Sequence, residues 1–441
     1  MSRAISFCIF LFAFCLPACA AGPQAFQFAL QNGMQVVVIP DRRAPVVTQM
    51  IWFKSGGADD PSGLSGLAHF FEHMMFRGTK QYPGDRFSQI LARNGGEDNA
   101  FTTEDYTAFY EQIARDKLPM AMALEADRMV NLDLSDANVS TERQVVLEER
   151  RMRVDNDPQA LLSEQVDAAL YLSHPYGRPV IGWPEEVRHI GRVEAQDFYT
   201  HHYAPNNAIL IVAGDVTPDI VRADAQAAYA KVPPRALAAH AFAAEPARLA
   251  ESRLTMVSPD AKVSLFMRVY RVPSYAEAAP GQAEALEVLA QMLGGDYSSA
   301  LYRRLVVERK LATAAGANYD GYRRDATGFS IYASPRPGVS FMQIERAIDE
   351  TLAAAMKPAS PKELARAKTQ LVASNIYRRD SQYALASAYG QALAIGLTVF
   401  DVNAWPERIQ AVSRDDVAKA AKTFLVARES VTATLAPGAP K

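Results

Sequence analysis

The segment Gly66-Leu-Ala-His-Phe-Phe-Glu-His-Met-Met-Phe-Arg-Gly-Thr79 constrains the fold more than any other part of the chain. Leu67, Phe70, Phe71, Met74 and Met75 make it apolar around most of a helix, so it has to be buried. The same turns carry His69, Glu72 and His73, two of the chain's seven histidines among them. Residues four apart share a helical face, so both imidazoles can reach one point while Glu72 is directed at it from between them. Buried polar atoms need partners inside the protein, and a metal ion satisfies this set where solvent has no access. H-x-x-E-H is the reverse of H-E-x-x-H and is one of the zinc-hydrolase patterns. A catalytic zinc takes three protein ligands and keeps a position open, so a further carboxylate is expected downstream. The bland alternative is an amphipathic helix that carries two histidines by chance.

With 441 residues the chain exceeds one ordinary core, and at about 150 residues per domain it should hold two or three. Hydrophobic residues at 49% and charged residues at 22% describe a globular protein. A net charge of -3 gives no footprint for nucleic acid and no polybasic patch for a membrane. Arg3, the apolar run Ile5 to Leu16 and the small residues Ala18-Cys19-Ala20 form a secretory signal peptide pattern over residues 1–20. That run is shorter than the roughly 20 residues a spanning helix needs. A periplasmic or secreted protein is therefore expected. Leu16-Pro-Ala-Cys19 also resembles a bacterial lipoprotein box, although Pro17 fits it poorly; membrane attachment is expected only if Cys19 is lipidated. Cys8, Cys15 and Cys19 are the only cysteines, so a chain cut after Ala20 folds without disulfides.

Two apolar runs between Phe26 and Ile39 flank Asn32-Gly33, a strong hairpin signal, and Val46 to Phe53 is a further strand. Ser62 or Ser65 is the expected cap of the metal helix and Gly78 its stop. Asn99 to Tyr110 is expected as one strand. Helices are expected over Phe87–Arg93, Asp116–Met129, Thr141–Val154, Val166–Leu172 and Glu194–His202, then a strand over Asn207–Ala213. Lys231 to Glu251 is rich in Ala, Pro and Arg and is the best boundary. Beyond it the order repeats in outline: strand Lys262–Tyr270, helices Gln282–Leu293 and Ser298–Glu308, strands from Ala312 to Ala333, helices Phe341–Met356, Pro361–Ile395 and Arg414–Phe424, and strand Ser430–Leu435.

Glu142-Arg-Gln-Val-Val-Leu-Glu-Glu-Arg150 supplies three acidic candidates on an expected helix. With it the chain resembles the inverzincin metallopeptidases, the family of pitrilysin, insulin-degrading enzyme and the mitochondrial processing peptidases. The resemblance implies that Glu149 is the third Zn²⁺ ligand beside His69 and His73, that Glu72 is the catalytic base, and that Glu142 supports the site from two helical turns upstream. Glu148 lies about 100° round the helix and should be solvated. Similarity extends through Gly95-Gly96, Asn99-Ala-Phe-Thr102, Leu124-Glu-Ala-Asp-Arg-Met129 and Tyr203-Ala-Pro-Asn-Asn-Ala-Ile-Leu210. In the family the strand matching Asn99 to Thr102 takes substrate as an added strand, so Asn99 and Ala100 are the implied peptide contacts.

The family's second domain carries Gly-Gly-x-x-Ser-Ser-Arg-Leu and then an Arg and a Tyr that bind substrate. Here Leu293-Gly-Gly-Asp-Tyr-Ser-Ser-Ala-Leu301 has Ala300 for the arginine, and the later pair falls on Val306 and Thr313. The resemblance therefore implies a zinc-bearing subunit that hydrolyses unfolded peptides with a homologous partner supplying the Arg/Tyr pair. The alternatives are a homodimer, a non-catalytic subunit of a larger assembly, in which the metal motif is usually eroded, and a structural zinc site, which would need a fourth protein ligand. The implied fold is α+β: two similar domains, each a mainly antiparallel sheet packed with helices. Residues 21–235 would carry the metal and 251–441 a homologous non-catalytic domain, joined by a 236–250 linker as one half of a clamshell.

Overall fold

The computed structural model describes residues 24–438 except 241, 243 and 379, so the expected signal peptide and Cys19 lie outside the described residues. The first half runs β1 (Phe26–Ala29), β2 (Gln35–Pro40), β3 (Val46–Phe53), α1 (Leu67–Met74), α2 (Arg86–Arg93), β4 (Glu97–Thr102), β5 (Thr107–Ala114), α3 (Leu118–Asn131), α4 (Asp136–Arg150), α5 (Pro158–Leu170), α6 (Pro184–Val187), α7 (Arg192–His202), β6 (Ala208–Gly214) and α8 (Pro218–Tyr229). The second runs β7 (Ser252–Ser258), β8 (Leu265–Val272), α9 (Gln282–Gly294), a π-helical turn Tyr302–Glu308, β9 (Ala312–Tyr319), β10 (Thr327–Pro335), α10 (Phe341–Ala355), α11 (Pro361–Arg378), α12 (Gln382–Ala394), α13 (Val399–Ala411), α14 (Arg414–Phe424) and β11 (Ser430–Pro437).

The strands form two sheets, β1-β2-β6-β3-β5-β4 and β7-β11-β8-β10-β9. In each, one parallel pair, β2 with β6 and β7 with β11, joins an otherwise antiparallel ladder. β3 and β6 are buried along nearly their whole length because both faces of the first sheet are covered. On one face α1, α3, α7 and α8 contribute Phe70, Phe71, Met122, Phe198 and Val221 to a single core. The other face is covered by α12 from the second half, whose Leu385, Ala386 and Tyr389 pack against Trp52, Met50 and Ile211. The exchange is reciprocal: Leu162, Val166 and Leu170 of α5 pack on Leu265, Val431 and Leu435 of the second sheet. Each half thus completes the core of the other.

The segment between the halves is anchored. Arg248 is buried and donates to the carbonyls of Ala169 and Leu170, while Glu245 accepts backbone N–H bonds from Leu172, Ser173 and His174 at the end of α5.

Several elements differ from the sequence expectation. The single strand over Asn99–Tyr110 is a hairpin of β4 and β5, turned where Thr103 Oγ1 accepts the N–H groups of Asp105 and Tyr106. The helix over Thr141–Val154 ends as α4 at Arg150 and continues as a π-helical turn, Arg151–Asp155. Pro361–Ile395 is broken into α11 and α12, the second started by Ser381, whose Oγ accepts the Ala384 N–H. Strand β7 and helices α6, α8 and α13 were not expected.

The close seating of α12 sets a prediction. A Cβ built on Gly390 would lie 2.0 Å from Trp52 Cε2, so Gly390→Ala should cost about 1–3 kcal/mol, read as a lower urea midpoint. An unchanged midpoint would remove this contact from the forces holding the halves together.

Candidate metal centre

The metal helix is placed by its N-terminus. Gly66 has φ +89°, and a Cβ there would meet the Ile181 carbonyl oxygen at 2.7 Å, so glycine is required. The cap is neither Ser62 nor Ser65. Asp60, buried, accepts the N–H groups of Gly66 and Ala68 at 2.7 and 2.8 Å. Ser65 Oγ is taken by the Trp183 N–H and its own N–H by Glu186, which leaves it unavailable. Burial pushes the Asp60 carboxyl up to about 8, outweighing the two N–H bonds that favour its charge, so Asp60 caps the helix as a hydrogen-bond acceptor.

One helical turn apart, the rings of His69 and His73 have centroids separated by 4.7 Å. α4 crosses α1 and brings Glu149 to both: Oε2 lies 3.6 Å from His69 Nε2 and 3.0 Å from His73 Nε2. His69, His73 and Glu149 are the group of side chains among the described residues whose donor atoms lie within 4.8 Å of one another as a metal would require. Glu142, two turns earlier on the same side of α4, accepts a bond from His73 Nδ1 at 2.9 Å, and Arg77 holds its other oxygen. With Nδ1 committed to Glu142, the Nε2 lone pair of His73 is directed at the shared point. Arg153, on the π-helical turn, meets Glu149 Oε1 at 2.6 Å. Glu148 pairs with Arg151 in solvent, as its helical position predicts.

The donors fit a divalent cation. Glu149 Oε2 and His69 Nδ1 are buried with no hydrogen bond, and the 3.0 Å approach of His73 to Glu149 lacks hydrogen-bond alignment. The Nε2 atoms of His69 and His73 converge on the unsatisfied Glu149 Oε2, and two imidazole nitrogens with one carboxylate oxygen match the ligand types and number of a catalytic zinc site. Charge follows the same logic. Burial, then the neighbouring His73, lowers His69 to about 4, keeping it neutral. Burial also opposes charge on His73, but its contacts with Glu142 and Glu149 outweigh this and raise it to about 9, so a metal must displace a proton there.

Glu72 stands beside the trio without joining it. Burial raises its carboxyl above the ordinary range, moderated by Thr102 Oγ1, which donates to Oε2 at 2.5 Å. Thr102 ends β4, the outer strand of the first sheet, which also holds Asn99 and Ala100. Asn99 Oδ1 accepts the Ala100 N–H, and β4 packs along α1. The strand expected to take peptide is thus tied to the expected base through one hydroxyl. Thr102, Arg77, Arg153 and Asp60 escaped sequence reasoning: each acts through a contact made only in three dimensions, although Thr102 lies within the Asn99–Thr102 motif.

The described family "Insulinase (Peptidase family M16)" matches residues 35–183, and "Peptidase M16 inactive domain" matches residues 189–371. An uncharacterized zinc protease of Mycobacterium bovis is 33% identical over 331 residues, covering 73% of this chain and 72% of that protein. A solved protease from Helicobacter pylori superposes with a TM-score of 0.88 at 26% identity, covering 94% of this chain and 100% of that one. Pitrilysin superposes with a TM-score of 0.78 at 20% identity over 95% of this chain but 45% of its own.

Replacing Glu149 by Gln should abolish stoichiometric zinc uptake, whereas Glu142→Gln should weaken it by about 10- to 100-fold, measured by competition with a chelating dye. Equal affinity in the wild type and Glu142→Gln would remove Glu142 from the site.

Proposed function

We propose, from the premise that this chain belongs to the insulinase (M16) peptidase family, that it is the zinc-bearing subunit of an endopeptidase acting on unfolded peptides. The observation that carries this reading is the convergence of His69, His73 and Glu149, with Glu142 bound to His73 from behind. A zinc ion held by these three residues would supply Lewis acidity, acidifying a water molecule and polarising the peptide carbonyl.

The remaining work falls to the chain. Glu72, its proton affinity raised by burial, takes the proton of the attacking water at a carboxylate oxygen and returns it to the leaving amine. Thr102 holds that carboxylate in place and couples it to β4. Substrate adds to the outer edge of β4 as a strand, its backbone answered near Asn99 and Ala100, which favours extended peptides over folded proteins. Glu142 and Arg77 fix the His73 ring.

Donors for the developing oxyanion are sparse. Ala300 and Val306 have none to give, and the Thr313 hydroxyl is turned to the Ser334 carbonyl at 3.3 Å. A homologous subunit bearing the Arg/Tyr pair would complete the site. In a peptide-cleavage assay the chain alone should be slow, and such a partner should accelerate it by about 10²- to 10³-fold. Glu72→Gln should keep its zinc and lose about 10²- to 10⁴-fold of the partnered rate. Full activity of Glu72→Gln would refute the base, and full activity of the isolated chain would refute the partner.

Export to the periplasm, or secretion, is part of this reading and rests on residues 1–20. Mass analysis of the mature N-terminus should find cleavage after Ala20; a diacylated Cys19 would replace a free protein by a tethered one, and an intact Met1 would overturn export.

A further inference from the structure

The two halves carry the same strand order, β2-β6-β3-β5-β4 in one and β7-β11-β8-β10-β9 in the other, with helices inserted at matching points. α9 packs with α11 in the second half as α1 packs with α4 in the first. The second half therefore has a topological counterpart of the metal cleft. No histidine follows His240 in the chain, so that counterpart has no imidazole to offer a metal.

A cavity of about 450 Å³ occupies this place, bounded by α9, the π-helical turn, the end of α10 and the start of α11. Its apolar lining includes Leu289, Met292, Leu293, Ala300 and Val417. Around these stand Arg303, Arg304, Lys357 and Arg366 with two carboxylates, Glu308 and Glu363, so cations are in excess. Their engagements differ. Arg304 is taken by Glu350 at 2.7 Å, and Arg303 stands 3.5 Å from Glu363. Arg366 donates to the Ser298 carbonyl at 3.2 Å, makes no ion pair among the described residues, and has its Nε buried without a hydrogen bond. A part-buried guanidinium with five donors and one carbonyl contact is poorly satisfied, and its planar fork matches a carboxylate.

We propose that this cavity binds the C-terminal carboxylate of a peptide whose last side chain is apolar. Arg366 and Arg303 take the carboxylate, and the Leu289, Met292 and Leu293 surface takes the side chain. The volume lies within the range of small-ligand sites, and an apolar lining with a few placed charges is their usual chemistry. The ligand class follows from the proposed activity, because each hydrolysis of a peptide bond creates one new carboxylate terminus. The inference rests on that reading for the supply of ligand alone, since binding needs no catalysis.

Calorimetry on the full mature chain tests it, with the probe acetyl-Ala-Ala-Leu as the free acid and as the C-terminal amide. The acid should bind at least about 10-fold more tightly than the amide, the range of a charge-assisted contact. Arg366→Gln, which keeps the cavity volume, and Ala300→Phe, which fills it, should each remove that preference; if the filled variant does not fold, Arg366→Gln decides. Equal binding of acid and amide, or an acid preference surviving Arg366→Gln, would overturn the proposal. Laurate binding as tightly as the peptide acid would reassign the cavity to fatty acids and overturn it as well. Full peptide cleavage by Glu72→Gln with the acid preference intact would overturn the assigned base and leave this site standing, whereas normal loss of cleavage with no acid preference would overturn this site alone.

Discussion

The hydrogen bond from His73 Nδ1 to Glu142 is the contact on which the metal cleft depends. An imidazole has two nitrogens, and a metal can use only one of them well when the other is fixed. Glu142 is almost fully buried, which by itself disfavours its charge, but the contacts of His73 and Arg77 outweigh this and hold its carboxyl below the ordinary range. The anion in turn turns the His73 ring so that Nε2 faces His69 and Glu149. Glu149 gains from the same arrangement, since the closeness of His73 keeps its carboxyl low and ionised. Two carboxylates on one helix, seven residues apart, thus perform different tasks on one ring: one orients it, the other shares its target.

Much of that centre was legible because its geometry is local. His69, Glu72 and His73 lie within one turn of α1, and Glu142 and Glu149 lie on one side of α4, so helical periodicity alone groups them. What pairs the two helices is not local, and the assignment of Glu149 over Glu148 came through the family resemblance rather than spacing. The cap was misread for a physical reason. Ser62 and Ser65 satisfy the compositional preference, but the tight Gly66 turn buries Ser65 against Trp183 and lets Asp60 reach the first free amides. The β4–β5 hairpin was hidden because its turn, Thr103 to Tyr106, contains no Gly, Pro or Asn, and relies on the Thr103 hydroxyl. The break between α11 and α12 was hidden likewise, marked only by Ser381 in a stretch of good helix formers.

The edge strand illustrates how one element carries two constraints. On the proposed reading β4 leaves its outer backbone groups unpaired to accept a peptide, yet an exposed edge invites association with other chains. Its composition, Glu97-Asp-Asn-Ala-Phe-Thr102, is short and polar at one end, which discourages nonspecific pairing. At the other end Phe101 is drawn under the sheet against Trp52 and Thr102 is bound to Glu72, so the edge is anchored beside the proposed base.

The reciprocal exchange of α5 and α12 explains why a half without a metal site is structurally indispensable. Trp52, at the centre of the first sheet, is covered by α12 and by Phe101 and Tyr106. Without the second half, the face of β3 and β6 bearing Trp52, Met50 and Ile211 would be open to water, at a cost of roughly 25 cal/mol for each Å² of apolar surface. The second sheet would lose α5 in the same way. Charged contacts seal the junction: Arg324 lies 3.6 Å from both Asp59 and Asp105, and Arg323 pairs with Glu104 just beyond β4. Asp59 immediately precedes Asp60, the residue that caps the metal helix. A cation from the second half is therefore one residue removed from the group that positions His69 and His73, and the two halves form a single mechanical unit around the cleft.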